Sequence, residues 1–240
     1  MYEGASETEL AAPGVPSYRG GARSLELDFG RIATGIDERY VYRVLKRLFD
    51  IVFSLGVLLI LSPLFLVVAL MVWLDDPKGS PLFFQERVGK RGKTFRMVKF
   101  RTMCVDAEAR LDEFMDANEK DGPVFKIAED PRVTRVGRVL RKTSLDELPQ
   151  FWNVLAGDMS VVGPRPALSR EVLQYSERDR LRLSVRPGIT CYWQTRRNRD
   201  SITFSEWMDL DLLYIRQCGL WADFKLIIQT VGCVLTFQGT

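Results

Sequence analysis

Residues 51 to 74 read IVFSLGVLLILSPLFLVVALMVWL, twenty-four positions without one charge. About 20 apolar residues suffice to cross a bilayer as a straight helix. A buried core helix of that length is uncommon in a chain of this size. Ser62-Pro63 lies in the middle of the run. Proline lacks a backbone N–H and its ring collides with the preceding turn, so the helix must kink or break there. Both flanks are basic: Arg39, Arg43, Lys46 and Arg47 precede the run, and Lys78, Arg87, Lys90, Arg91, Lys93 and Arg96 follow it. Lys and Arg collect on the cytoplasmic side of membrane segments. Two basic flanks therefore favour a helix that enters, bends and leaves by the same face. Residues 39–77 read as a re-entrant membrane hairpin.

Upstream, residues 1–38 are rich in Gly, Ala, Ser, Pro and Glu without periodicity and read as a disordered tail. They lack the basic start and apolar run of a secretory signal. Downstream, residues 78–240 read as a compact, mostly helical α/β domain. Two short β-rich runs, 82–85 and 94–101, flank a basic turn. Residues 104–117 predict an amphipathic helix, and SREVLQYSERDRLRLSV a further helical stretch. RPGIT predicts a turn, and FSEWMDLDLLYIRQ and LWADFKLIIQTVGCVLTF two closing helices. The last is apolar around much of its circumference, which suits either a core helix or one lying in the membrane interface.

The chain has 240 residues and a net charge of +3, with four cysteines and no histidine. The cysteine spacing fits neither a disulfide framework nor a zinc site. Without histidine, catalysis must run on carboxylates, amines, hydroxyls or thiols. Three places carry candidate chemistry. Arg132, Arg135, Arg138 and Arg141 recur every three residues, either a solvated basic face or a phosphate clamp. In GPRP, Arg165 is held between two prolines and so is pre-oriented. In TSLDELPQFWN, Asp146 and Glu147 follow Ser144. The Ser144–Glu147 spacing matches a capping box, and acids in a first helical turn suit the positive helix end, which keeps them ionised. An ionised Asp among arginines is a candidate nucleophile toward phosphorus, and a neighbouring Glu a candidate Mg²⁺ ligand. Asp209-x-Asp211 offers a rival metal motif, set on a strongly helical stretch.

KRLFD, FFQERVGKRGKTFRMVKFRTM, DPRVTRVGRVLRKTSLDELPQFWNVLAGDMSVVGPRP and VRPGIT, in this order, resemble the bacterial sugar transferases that are monotopic polyprenyl-phosphate phosphoglycosyl transferases. The resemblance runs from about Lys46 to about Phe237. It implies transfer of a sugar-1-phosphate from a UDP-sugar to undecaprenyl phosphate, giving the lipid diphospho-sugar and UMP. It further implies Asp146 as the nucleophile of a covalent intermediate, with Glu147 and Asp146 at Mg²⁺. Arg141, Arg165 and Arg186, with Lys99, Arg101 and Gln194, would line the substrate site. Ser62 and Pro63 would be the membrane-helix break. The implied setting is the cytoplasmic face of the bacterial inner membrane, among membrane lipid and with no nucleic-acid partner; monomer and homodimer both stay open. After the RPG turn the chain reads ITCYWQTRRNRD, where many family members carry a Gly-rich stretch. That departure, with Arg196, Arg197 and Arg199, leaves the choice of sugar open.

Overall fold

The computed structural model describes residues 39–196 and 201–236. The tail expectation for residues 1–38, together with Arg197 and Arg199, falls outside the described residues.

The apolar run forms two helices, α1 (Tyr40–Ile60) and α2 (Ser62–Asp75). They meet at an angle of 63°. Pro63 cannot donate to the Leu59 carbonyl four residues back; the Ser62 hydroxyl donates to it instead, at 2.9 Å. Among the described residues no single helix is long and apolar enough to cross a membrane, but this bent pair passes by length and composition together. Leu59, Ile60, Leu66, Leu70 and Leu74 are all exposed.

Each arm is anchored separately. On α1, buried Asp50 accepts from the Ser160 hydroxyl and the Val161 N–H, both at 3.0 Å. Arg47 donates to the Val154 and Leu155 carbonyls. On α2, Val68 and Val72 pack with Phe100 and Leu140.

The polypeptide then makes an antiparallel hairpin of β1 (Leu82–Val88) and β2 (Thr94–Phe100), in the register Phe83 to Lys99, Gln85 to Met97 and Arg87 to Phe95. Side chains alternate along strands, so these six share one face. The helix expected over 104–117 is instead a series of turns with a 3₁₀ segment at Asp112–Ala117. Arg132, bonded to the Ala107 carbonyl, pins this segment through contacts that no helix periodicity reports.

Next come α3 (Arg135–Thr143), a 3₁₀ turn at Leu145–Glu147, α4 (Gln150–Ala156) and β3 (Ser160–Val162). The single helical stretch expected from Ser169 breaks into α5 (Ser169–Val172), α6 (Glu177–Arg180) and a 3₁₀ turn at Leu181–Ser184. Ser176 causes the break: its hydroxyl accepts from the Asp179 N–H and starts a new helix. RPGIT, expected as a turn, continues into β4 (Gly188–Thr190), parallel to β3. A Cβ on Gly188 would lie 2.1 Å from the Gly163 nitrogen, so only glycine permits this approach.

The closing helices are α7 (Phe204–Gln217) and α8 (Leu220–Leu235). α8 has a core-facing side and an exposed apolar side. Leu226 and Ile227 enter the main core, while Trp221, Phe224, Ile228 and Val231 are exposed. Asp223 ties α8 to α1 and α7, accepting from Tyr42 at 2.9 Å, Lys46 at 2.8 Å and Tyr214 at 2.9 Å.

Candidate active site

The acidic pair does not cap a helix. Ser144 adopts φ 56° and ends α3 as its left-handed C-cap, with no side-chain cap bond. α4 begins only at Gln150, after Pro149. Asp146 and Glu147 thus occupy a 3₁₀ turn wedged between two helices. The local Ser-x-x-Glu pattern is overridden because α3 needs a residue that reverses the chain there. Nor does Asp146 point outward; only 8% of it is exposed.

Asp146 lies in a cleft with Glu147, Lys99, Gln150, Arg165 and Gln194. Arg87 lines the same cleft. It widens into a groove of about 540 Å³ whose wall includes Arg138, Arg141, Lys142, Lys120 and Lys126. Burial pushes the Asp146 carboxyl above its ordinary value, and the charges of Lys99, Arg141 and Arg165 pull it back. The carboxylate is therefore shielded from water and held by fixed cations. Its effect is felt in return: burial lowers the Lys99 amine to about 8, with Arg87 adding to the shift and Asp146 opposing it.

Distinct elements deliver these cations. The cross-strand register puts Lys99 and Arg87 on one face of the hairpin. Arg87 is buried and donates to the Pro166 carbonyl at 2.9 Å, joining the hairpin to the GPRP loop. Burial and the charge of Arg165 lower its guanidinium to about 10. Neither Arg87 nor Gln150 was among the residues expected at the site. The signal for Arg87 was the two-residue alternation with Gln85 and Phe83. Arg141 comes from α3, which lies so close to Thr102 that a Cβ on Gly137 would sit 2.1 Å from the Thr102 carbonyl. The Thr102 hydroxyl accepts from Arg141 at 3.0 Å.

Arg165 is exposed and set over the Trp207 ring at 5.7 Å. The other cation on that ring is Arg182, at 5.6 Å. Arg182 is buried, pairs with Asp211 at 2.7 Å and donates to the Arg165 carbonyl at 2.9 Å. Asp211 thus fixes Arg182, which fixes the backbone of Arg165. Asp209 is exposed and paired with Arg178. The two acids of Asp209-x-Asp211 meet different arginines and form no shared metal site.

Two expected residues lie elsewhere. Arg101 donates to Asp76 and to the Ser80 and Gly79 carbonyls, so it fastens the end of α2 to β2. Arg186 donates to the Gly157 carbonyl at 2.8 Å, just past α4, and lines a separate basic cleft with Arg43, Lys90, Arg91 and Lys93. A free carbonyl at a helix C-terminus draws a cationic donor, and Arg186 answers it. Of the arginine row, Arg132, Arg138 and Arg141 line the groove, Arg132 while buried and paired with Asp130.

For Mg²⁺, no group of three or more metal-ligating acids or thiols gathers among the described residues. Two adjacent carboxylates on a phosphate-sized cationic cleft do fit an ion that takes one or two protein carboxylates and completes its shell with phosphate oxygens and water.

Comparison with known proteins fits this arrangement. The galactosyl transferase CpsE of Streptococcus agalactiae is 40% identical over 201 residues, covering 84% of this chain and 44% of that protein. The exopolysaccharide production protein ExoY of Rhizobium meliloti is 39% identical over 199 residues, covering 81% and 87%. The UDP-glucose:undecaprenyl-phosphate glucose-1-phosphate transferase of Escherichia coli is 43% identical over 199 residues, covering 80% and 40%. The chain thus spans less than half the length of CpsE and of the Escherichia coli protein. The family model described as bacterial sugar transferase matches residues 41–237, nearly all of the described fold, and the chain belongs to that family.

Proposed function

We propose that this chain transfers a sugar-1-phosphate from a UDP-sugar to undecaprenyl phosphate, at the cytoplasmic face of the bacterial inner membrane, as a first step of polysaccharide assembly. The observation that carries this reading is one buried carboxylate, Asp146, enclosed by Arg87, Lys99, Arg141 and Arg165 beside a bent apolar helix pair. Family membership and the relatives' names support the same reaction class.

In the scheme, an Asp146 oxygen attacks the sugar-bearing phosphorus of the UDP-sugar. The bond from that phosphorus to the bridging oxygen breaks, and UMP leaves with that oxygen. An acyl phosphate then joins Asp146 to the sugar phosphate. An oxygen of the lipid phosphate attacks the same phosphorus, the bond to Asp146 breaks, and the carboxylate is regenerated. Covalent catalysis splits one difficult transfer into two displacements. Arg165, Arg141 and Lys99 offset the repulsion between anionic substrates and an anionic nucleophile, and stabilise charge on the transferring group. Glu147 and Asp146 are the residues that would hold Mg²⁺, which when bound supplies further charge neutralisation at the phosphates. The α1–α2 pair would dip into the bilayer and return, placing the cleft where a soluble and a lipid substrate meet.

The test is UMP release from a panel of UDP-sugars with undecaprenyl phosphate and Mg²⁺, by the native chain and by Asp146→Asn. UMP release that vanishes in Asp146→Asn is expected. Release of UDP overturns the reaction class, and normal turnover by Asp146→Asn overturns the covalent route.

A further inference from the structure

A second cavity adjoins the Asp146 cleft and has the opposite chemistry. It lies between α1 and α8 beside the start of α4, and holds about 270 Å³. Val57 of α1 and Leu61 just past its end form one wall, Ile227 and Val231 of α8 the other, with Phe151 between them. Glu147 and Gln194 line both this groove and the Asp146 cleft, so the two cavities adjoin across these side chains. The α1 wall ends at Leu61, the corner of the helix break. The outward surfaces of the same helices are also apolar and exposed, at Leu55, Leu59 and Ile228. An aliphatic groove therefore lies between an apolar exterior and the Glu147 side of the Asp146 cleft.

We propose that the α1–α8 groove seats the first isoprene units of the lipid phosphate acceptor and delivers its phosphate to the Asp146–Glu147 turn. This rests on the reaction proposed above. A ligand anionic at one end and a branched hydrocarbon at the other needs a site with both characters in sequence, and these two adjoining cavities supply it. The sugar nucleotide, polar throughout, gains nothing from aliphatic walls. The volume takes only the start of a long polyprenyl chain; the remainder leaves through the open side between the helices. A phospholipid would suit the walls, but its phosphate is a diester set back behind glycerol and not a terminal monoester on the hydrocarbon chain.

The test uses the full chain in nanodiscs, with Val231→Trp and, on the opposing wall, Val57→Trp. Each is expected to raise KM for undecaprenyl phosphate about tenfold or more, since filling the groove removes apolar contact. KM for the UDP-sugar and the UMP burst without lipid acceptor should hold. An unchanged lipid KM in both variants overturns the groove assignment. Photo-crosslinking of the native chain with a prenyl phosphate bearing a diazirine on its first isoprene unit covers the case of misfolded variants. Adducts on α1 or α8 peptides that unlabelled undecaprenyl phosphate removes support the groove. Adducts elsewhere, or adducts removed only by phosphatidylglycerol, overturn it. If the native chain releases no UMP from any UDP-sugar, the proposed reaction itself fails, an outcome distinct from any result on the groove.

Discussion

Two clefts in this molecule are rich in arginine, and both draw on an Arg-Pro dipeptide. In GPRP, Arg165 follows one proline and precedes another; in VRPG, Arg186 precedes Pro187. Their backbones nearly touch, since a Cβ on Gly163 would lie 2.5 Å from the Arg186 carbonyl. Yet the side chains part. Arg165 faces a buried carboxylate, over a tryptophan and with its carbonyl held by buried Arg182. Arg186 turns to the Gly157 carbonyl among Arg43, Lys90, Arg91 and Lys93. What separates the clefts is the burial of their acids: Asp146 is buried at the centre of one, while Asp158 is only half-buried on the wall of the other. In the proposed scheme the cations around Asp146 serve chemistry at an anion; those around Arg186 meet a helix-end carbonyl and a partly solvated acid.

The sharpest way to break this contrast is to remove one member from each side. Asp146→Asn should lower turnover at least about a thousandfold, as loss of a covalent nucleophile does. Arg165→Met should lower kcat/KM by about 10²–10³-fold, the usual effect of deleting one charge-stabilising donor. If Arg186→Met matches either loss, the two clefts are one functional unit and the contrast collapses.

The support beneath Arg165 gives the next effect. Arg182→Met leaves Asp211 buried without its counter-ion and should destabilise the fold by about 3–5 kcal/mol. Thermal denaturation reads this directly. Trp207→Leu removes the ring between the two arginines at smaller structural cost. It should reduce kcat/KM more than it reduces Tm-based stability, whereas a purely structural tryptophan would show the reverse.

Proton titration sharpens the contrast further. Lys99, lowered by burial to about 8, is charged below that pH and neutral above it. As pH rises through about 8, the Asp146 cleft loses a positive charge, and kcat/KM for the UDP-sugar should fall. Raised by burial, the Asp146 carboxyl should set the acid limb, since in the proposed scheme only its ionised form attacks phosphorus. Lys99→Gln should abolish the alkaline limb, and Arg186→Met should leave it in place. The smallest effect belongs to Arg186→Met on stability, below about 1 kcal/mol, because it loses one exposed helix-end contact.

Features read from the chain without tertiary help were those with a local physical cause. Pro63 removes a helical hydrogen bond in the middle of the apolar run, and a bend of 63° stands there. Arg165 is pre-oriented by its own neighbours, and it reaches the site. The two closing helices fall where their apolar periodicity puts them. Features that failed depended on distant partners. Ser144 looks like an N-cap until α3 requires a left-handed terminator. Arg101 looks like a phosphate ligand until Asp76 at the end of α2 comes within 2.5 Å. Arg87 went unseen because only pairing with β2 shows that it shares a face with Lys99. The expectation of covalent chemistry at Asp146 came from resemblance; the residues alone left a cap and a nucleophile side by side.

The 2.9 Å bond from the Ser62 hydroxyl to the Leu59 carbonyl has a bearing on where the corner of the hairpin can rest. A backbone acceptor left open in hydrocarbon costs several kcal/mol, because no water is at hand to fill it. In a re-entrant placement the corner is the deepest point of the chain and the least able to borrow a donor. Here the residue beside the proline furnishes that donor from within. The carbonyl that the proline orphans is thus filled from within the chain, without a headgroup, a solvent molecule or a neighbouring helix.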